Sequence, residues 1–214
     1  MIRVIILGSN ASTCELYRSI IDEEPGFRCK HVYQSCRRLQ SEIPHVLPDV
    51  VLYNTAMLHE SASSICLHEI RKMRYDLPIL IVTAHEDDDA LFVALRAGAT
   101  GYLYEGFAVD ELLVSIREAF AHKGIMSPGI AKRMLQSLDN ASRHILTKPQ
   151  LRILELLSNG DTIKEIATQL SISRNAVGKH IYQSYSRLSK ATGHHMIQGH
   201  PKHESYQTPS ESSM

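Results

Sequence analysis

No apolar run in this 214-residue chain approaches the ~20 residues needed to cross a bilayer. Residues 1–7 hold one arginine, no long apolar core and no small-residue cleavage site, so a secretory signal is not expected. The expected location is the cytoplasm, with no membrane partner. Cysteine is scarce, and none of Cys14, Cys29, Cys36 and Cys66 forms a CxxC pair or has histidine at metal-ligand spacing. Reduced thiols in and around a core are therefore expected, and nothing favours a Cys29–Cys36 redox pair. Catalytic sets are missing too. Scattered histidines without a paired nucleophile do not make an active site, so no enzyme, metal site or cofactor is expected. No repeat recurs at solenoid spacing.

The absence of net charge hides an asymmetry. Residues 1–124 carry 12 basic and 17 acidic side chains, and residues 125–214 carry 11 basic and 6 acidic ones. An acidic front and a basic back are expected when only one half meets a polyanion.

The front alternates strand and helix signals. Short apolar runs at 2–7, 49–53, 79–83 and 100–103 suit parallel strands buried on both faces, and 27–32 is a weaker strand. Helical patterns fill 11–23, 35–42, 61–74, 87–96 and 108–122. Five strand–helix repeats imply a doubly wound, flavodoxin-like α/β fold with a five-stranded parallel sheet. Function then sits at the carboxyl ends of the strands.

The back reads as all helix. Ser127-Pro128 starts a short helix to about residue 138, followed by a polar linker over 139–144. Thr147-Lys-Pro-Gln150 and Thr162-Ile-Lys-Glu165 fit capping boxes. Ser173 caps a third helix to about residue 188. Two short helices at this spacing make a small all-α helix-turn-helix domain, with Ile166, Ala167, Leu170, Ile172, Val177 and Ile181 as its core. The expected divisions are 1–123, a linker with a short helix over 124–144, 145–198, and a disordered tail over 199–214. In and near that tail His194, His195, His200 and His203 read as solvated.

Several motifs together resemble the NarL/FixJ family of response regulators. In the front these are Pro48-Asp-Val-Val-Leu-Tyr-Asn54, Pro78-Ile-Leu-Ile-Val-Thr-Ala84 and Arg96-Ala-Gly-Ala-Thr-Gly-Tyr102. In the back they are Leu146-Thr147, Lys164-Glu-Ile-Ala167, and Ser171-Ile-Ser173 followed by Val177 and His180. The resemblance implies a phosphorylatable receiver and a LuxR-type helix-turn-helix. It also implies a site: an aspartate ending the third strand, an acidic pair for Mg²⁺ after the first, a Ser/Thr after the fourth and a lysine after the fifth. Phosphoryl transfer needs that nucleophile, that hard cation and those donors.

This chain departs from the pattern. Asn54 stands at the nucleophile position, Gly8 and Ser9 at the acidic pair, and Glu105 at the lysine. Met57 keeps the family type, but Leu58 stands where proline is usual. Of the switch apparatus Thr83 and Tyr102 remain, and Glu105 is expected to be a solvated loop carboxylate. The reading is a phosphorylation-independent DNA-binding regulator whose degenerate receiver dimerises or binds an unknown protein or small-molecule effector.

Homodimerisation is expected around the fourth and fifth strand–helix units, a surface with Asp87, Asp88, Asp89, Leu91, Arg96, Glu111 and Arg117. Double-stranded DNA is the expected partner of Lys164, Arg174, Asn175, Lys179, Tyr182, Gln183 and Arg187, with Lys190 as a further phosphate contact. Gly178 replaces the family's lysine, and 192–198 is only a remnant of the family's fourth helix. Those two changes support an alternative: a protein-interaction module that titrates partners, with weakened DNA binding.

Overall fold

The structure, a computed structural model, describes residues 1–54, 61–74, 76–84, 88–124, 126–138 and 143–195. Met57, Leu58, Asp87, His200, His203 and the tail over 199–214 lie outside the described residues.

The front domain alternates β1 (Ile2–Gly8), α1 (Ala11–Glu23), β2 (Phe27–Tyr33), α2 (Cys36–Val46), β3 (Val50–Asn54), α3 (Ser61–Met73), β4 (Ile79–Thr83), α4 (Asp88–Ala97), β5 (Gly101–Tyr104) and α5 (Val109–Phe120). The strands form one parallel five-stranded sheet, as the alternating signals predict, and their order is β2-β1-β3-β4-β5. Both faces are covered. Ile5, Leu7, Val51, Ile79 and Ile81 pack towards α2, α3 and α4. Val4, Ile6, Val50, Leu52, Leu80 and Val82 pack towards α1 and α5. This period-two split explains why the strands are continuously apolar.

The back domain contains α6 (Pro128–Ser137), a 3-10 turn (Arg143–Ile145), α7 (Lys148–Ser158), α8 (Ile163–Gln169) and α9 (Arg174–His195). Both capping boxes form. Gln150 Oε1 accepts from Thr147 N at 2.9 Å, and Glu165 Oε2 accepts from Thr162 N at 2.8 Å. Ser173 Oγ accepts from Ala176 N at 3.1 Å to open α9.

Four expectations change. Helix α2 continues past residue 42 to Val46 despite Pro44 inside it, and Leu47 closes it in a left-handed conformation at φ 48°. Helix α6 is more than a tether. Its Ile130, Ala131 and Met134 are fully buried in an apolar cluster that runs from the α2–α3–α4 side of the sheet into the helix-turn-helix. Helix α9 runs unbroken to His195, so no separate fourth helix begins at 192; Ser189-Lys-Ala191 contains neither proline nor glycine to stop it. The thiols are not all reduced. Cys36 and Cys66 form a disulfide between α2 and α3. Cys29 belongs to the opposite face of the sheet with Cys14, which separates it from Cys36.

Candidate phosphoacceptor pocket and DNA-reading helix

Strand ends β1, β3, β4 and β5 bring Gly8, Asn54, Thr83 and Glu105 together. Gly8 and Asn54 are register partners, and Glu105 N donates to Thr83 O at 2.8 Å. Asn54, only 5% exposed, donates from Nδ2 to Glu105 Oε1 at 2.6 Å. Glu105 is exposed, as expected of a loop carboxylate, but it has a partner in Asn54. It also accepts from the Tyr17 hydroxyl, whose pKa rises to about 12 through burial first and the Glu105 charge and hydrogen bond next. The Tyr17 ring packs 5.7 Å from that of Phe107.

Gly8 is filled space. A Cβ there would lie 2.7 Å from Cys14 Sγ and 3.1 Å from Asn54 O, inside van der Waals contact. A side chain at this position requires the Cys14 thiol or the end of β3 to shift. Ser9 is exposed, and Asn10 beside it caps α1 by accepting from Thr13 N. These residues do not fit the Mg²⁺ that the family resemblance implies. The hard cation needs several oxygen ligands with negative charge, whereas the one carboxylate at the centre is already held by an amide and a phenol. Among the described residues, no cluster of three or more His, Cys, Asp or Glu could hold a metal ion.

Tyr102 accepts from Ser127 N at 2.9 Å. Its ring meets Tyr104 edge-on at 5.5 Å. This ties β5 to the start of α6.

On α9 the polar side chains divide into two groups. Asn175, Lys179, Gln183 and Arg187 follow one another at i,i+4 and are exposed. Arg174 is exposed beside them and, with Lys164, Ala167, Thr168, Ser171 and Ile172, lines an open cavity of about 500 Å³. Two of these contacts are structural as well. Gln183 Oε1 accepts from Gln150 Nε2 at 3.4 Å, and Arg187 donates to Ile145 O at 3.2 Å.

Gly178 and Tyr182, expected to face outward, are buried. Gly124 N donates to Gly178 O at 2.9 Å. A Cβ on Gly124 would lie 2.8 Å from both Tyr182 N and Ile181 Cγ2, and one on Gly178 would lie 3.3 Å from Lys123 Cβ. Tyr182 stacks edge-on against His122 at 4.9 Å, and its hydroxyl donates to Asp76 O at 3.2 Å. Sequence periodicity gave the correct face for Val177 and Ile181 but had no access to this second contact. The paired glycines were its one visible trace. Of the expected dimerisation surface, Arg96 lies over the Phe92 ring and Arg117 bonds Glu24 at 2.6 Å. Helix α4 itself packs against α6 and α9.

The sequence pattern of the response regulator receiver domain matches residues 4–117, and that of the bacterial regulatory proteins of the luxR family matches residues 144–193. The chain belongs to the NarL/FixJ response regulators, DNA-binding transcription factors with a receiver domain followed by a LuxR-type helix-turn-helix. It is 25% identical over 161 residues to the response regulator GacA of Pseudomonas aeruginosa, covering 73% of each chain. It is 33% identical over 147 residues to the transcriptional regulatory protein LiaR of Bacillus subtilis, covering 66% of this chain and 69% of LiaR. The fold is also that of the response regulator RcsB of Salmonella typhimurium, with a TM-score of 0.53 at 15% identity over 93% of this chain and 100% of that one.

Proposed function

We propose that this chain regulates transcription without aspartyl phosphorylation, and that its degenerate receiver pairs two copies or binds an effector. The observation that carries this reading is the hydrogen bond from Asn54 Nδ2 to Glu105 Oε1. An amide and a carboxylate satisfy each other where a phosphoryl acceptor and its cationic partner are needed. An amide nitrogen or oxygen cannot form an acyl phosphate. A carboxylate beside it repels the incoming phosphodonor, and Gly8 and Ser9 supply no carboxylate for a metal.

The helix-turn-helix reads double-stranded DNA in the cytoplasm. Lys164, Arg174 and Arg187 meet phosphates, and Asn175, Lys179 and Gln183 reach base edges. Tyr182 joins them only when α9 leaves the linker. Pairing of receivers uses the outer face of α5, where Val109, Val114 and Phe120 are about half exposed; the α4 side is taken up by the chain's own α6 and α9. The effector is a protein or small molecule that distinguishes the docked from the released α9.

Two measurements test this. The wild type and Asn54→Asp are incubated with a small phosphodonor and Mg²⁺, and neither is expected to gain an aspartyl phosphate by mass spectrometry. A phosphorylated Asn54→Asp protein overturns the reading. An unbiased DNA selection at two salt concentrations is expected to enrich a sequence whose binding weakens steeply with salt. No enrichment at low salt favours the interaction-module alternative, for which the burial of Gly178 and Tyr182 is the supporting observation.

A further inference from the structure

We propose that Cys36 and Cys66 form a reversible thiol–disulfide modification site, with Cys36 as the attacking thiol, Cys66 as the resolving thiol and a low-molecular-mass disulfide as co-reactant. The two side chains are already within bonding reach across α2 and α3. Their surroundings differ in the way such a pair requires. Cys36 is the first residue of α2, directly after the N-cap Ser35, and is partly exposed. The helix N-terminus and the Gln40 amide that donates to Cys36 Sγ at 3.6 Å both favour the sulfur anion. Cys66 is 2% exposed, so a dissolved reagent reaches it only through the Cys36 sulfur.

The other two cysteines provide the contrast. Cys14 and Cys29 are buried on the opposite face of the sheet. Burial raises both thiols, Cys29 to about 12 with Asp22 adding to the effect. They stay protonated and unreactive.

The exchange balances. The Cys36 thiolate attacks one sulfur of the small disulfide, forming a mixed disulfide and expelling one small thiolate. Cys66 gives up its proton and attacks the Cys36 sulfur, expelling the second. Two protein thiols are oxidised and one small disulfide is reduced to two thiols, which take up the two protons. Two small thiols reverse it.

The apolar core does not depend on the bridge. Leu39 and Ile43 of α2 and Leu67 and Ile70 of α3 are fully buried beside it in the same cluster. The bridge instead closes a sequence separation of 30 residues that contains β3 and Asn54. It therefore restrains the strand end where the family places its phosphoryl signal. In one respect the proposal rests on the DNA-binding reading: a chromosome-binding protein works where thiol buffers keep disulfides transient.

The test equilibrates full-length protein with mixtures of reduced and oxidised glutathione, then alkylates it and maps each cysteine by mass spectrometry. The Cys36–Cys66 bridge is expected to appear and disappear within the range of those mixtures. In the reduced protein, Cys36 is expected to alkylate at least about tenfold faster than Cys14 or Cys29. Cys66→Ser is expected to trap glutathione on Cys36, whereas Cys36→Ser leaves Cys66 unmodified. A bridge that persists in fully reduced glutathione, one that never forms in the oxidised mixtures, or modification first at Cys14 or Cys29 overturns the proposal. The wild-type titration needs no substitution, so a misfolded variant does not remove the test. DNA affinity measured on the same samples is a separate readout. No DNA binding in either redox state defeats the DNA-binding reading while the thiol chemistry stands.

Discussion

The strand-end pocket and the helix-turn-helix belong to one chain but follow opposite physical plans. At the pocket, charge has been removed or neutralised. Gly8 and Ser9 stand without carboxylates, and the remaining one, on Glu105, is held by Asn54 and Tyr17. On α9, polar side chains remain exposed at helical spacing, supported by two intact capping boxes. The pocket pairs its carboxylate with an amide, while α9 leaves its polar stripe exposed. The contact between Gly124 and Gly178 ties the linker that follows α5 to α9.

That contact offers the largest test of the comparison. Gly124→Val drives methyl groups into the backbone of Tyr182, and overpacking of this kind costs about 2–3 kcal/mol. The melting temperature by calorimetry is expected to fall while DNA binding at fixed salt tightens. An unchanged melting temperature breaks the docking picture. Next in size, Lys179→Ala is expected to weaken DNA binding by about 1–2 kcal/mol and to relax specificity at the base it reads. Equal affinity to wild type in a filter or anisotropy titration means that the exposed stripe is misassigned.

Asn54→Asp sharpens the other side. It replaces a 2.6 Å amide–carboxylate hydrogen bond with two carboxylates. Like charges at that range disfavour double ionisation, so the variant is expected to lose about 1–2 kcal/mol at pH 7. The loss should shrink as acid lets the pair share a proton, and urea unfolding across pH measures it. An undiminished loss at low pH shows that packing rather than charge is responsible. The smallest effect is expected at Asp49, which binds the Arg3 backbone N and guanidinium at 2.8–3.0 Å. The Arg3 hydrogen bond holds its carboxyl below the ordinary value of 3.8. Its stabilisation is present above that value and is lost as pH falls through the lower folded value. Asp49→Asn should therefore cost about 1 kcal/mol at neutral pH and nothing once the wild-type carboxyl is protonated, as chemical denaturation at the two pH values will report.

Much of this was legible from the residues alone. Continuous apolar strands named a parallel sheet buried on both faces, and the Thr–Gln and Thr–Glu spacings named the starts of α7 and α8. That Gly8, Asn54, Thr83 and Glu105 would share one site was implied by the family resemblance, not by the strand signals. What stayed hidden was long-range. Cys36 and Cys66 are brought together only because α2 and α3 share one face of the sheet. Glu105 finds its partners 51 positions away in Asn54 and on α1 in Tyr17. Tyr182 looked solvent-facing because periodicity reports a helix's own core and not a second surface packed against it. Helix α6 looked like a spacer because it is only ten residues long and its Ile130, Ala131 and Met134 are buried through contacts distant in sequence.

The unbroken length of α9 has a mechanical consequence. Its 22 residues make a rod of about 33 Å, gripped near one end by Gly124 against Gly178. About 25 Å of helix extends beyond that point at 1.5 Å per residue. A tilt of about 10° at the grip moves the far tip by about 4 Å, more than a phosphate contact tolerates. Arg187, the last residue of the polar stripe, lies about 14 Å past Gly178, so the same tilt moves it by only about 2 Å, while Ile181, Tyr185 and Leu188 keep α9 packed in the core.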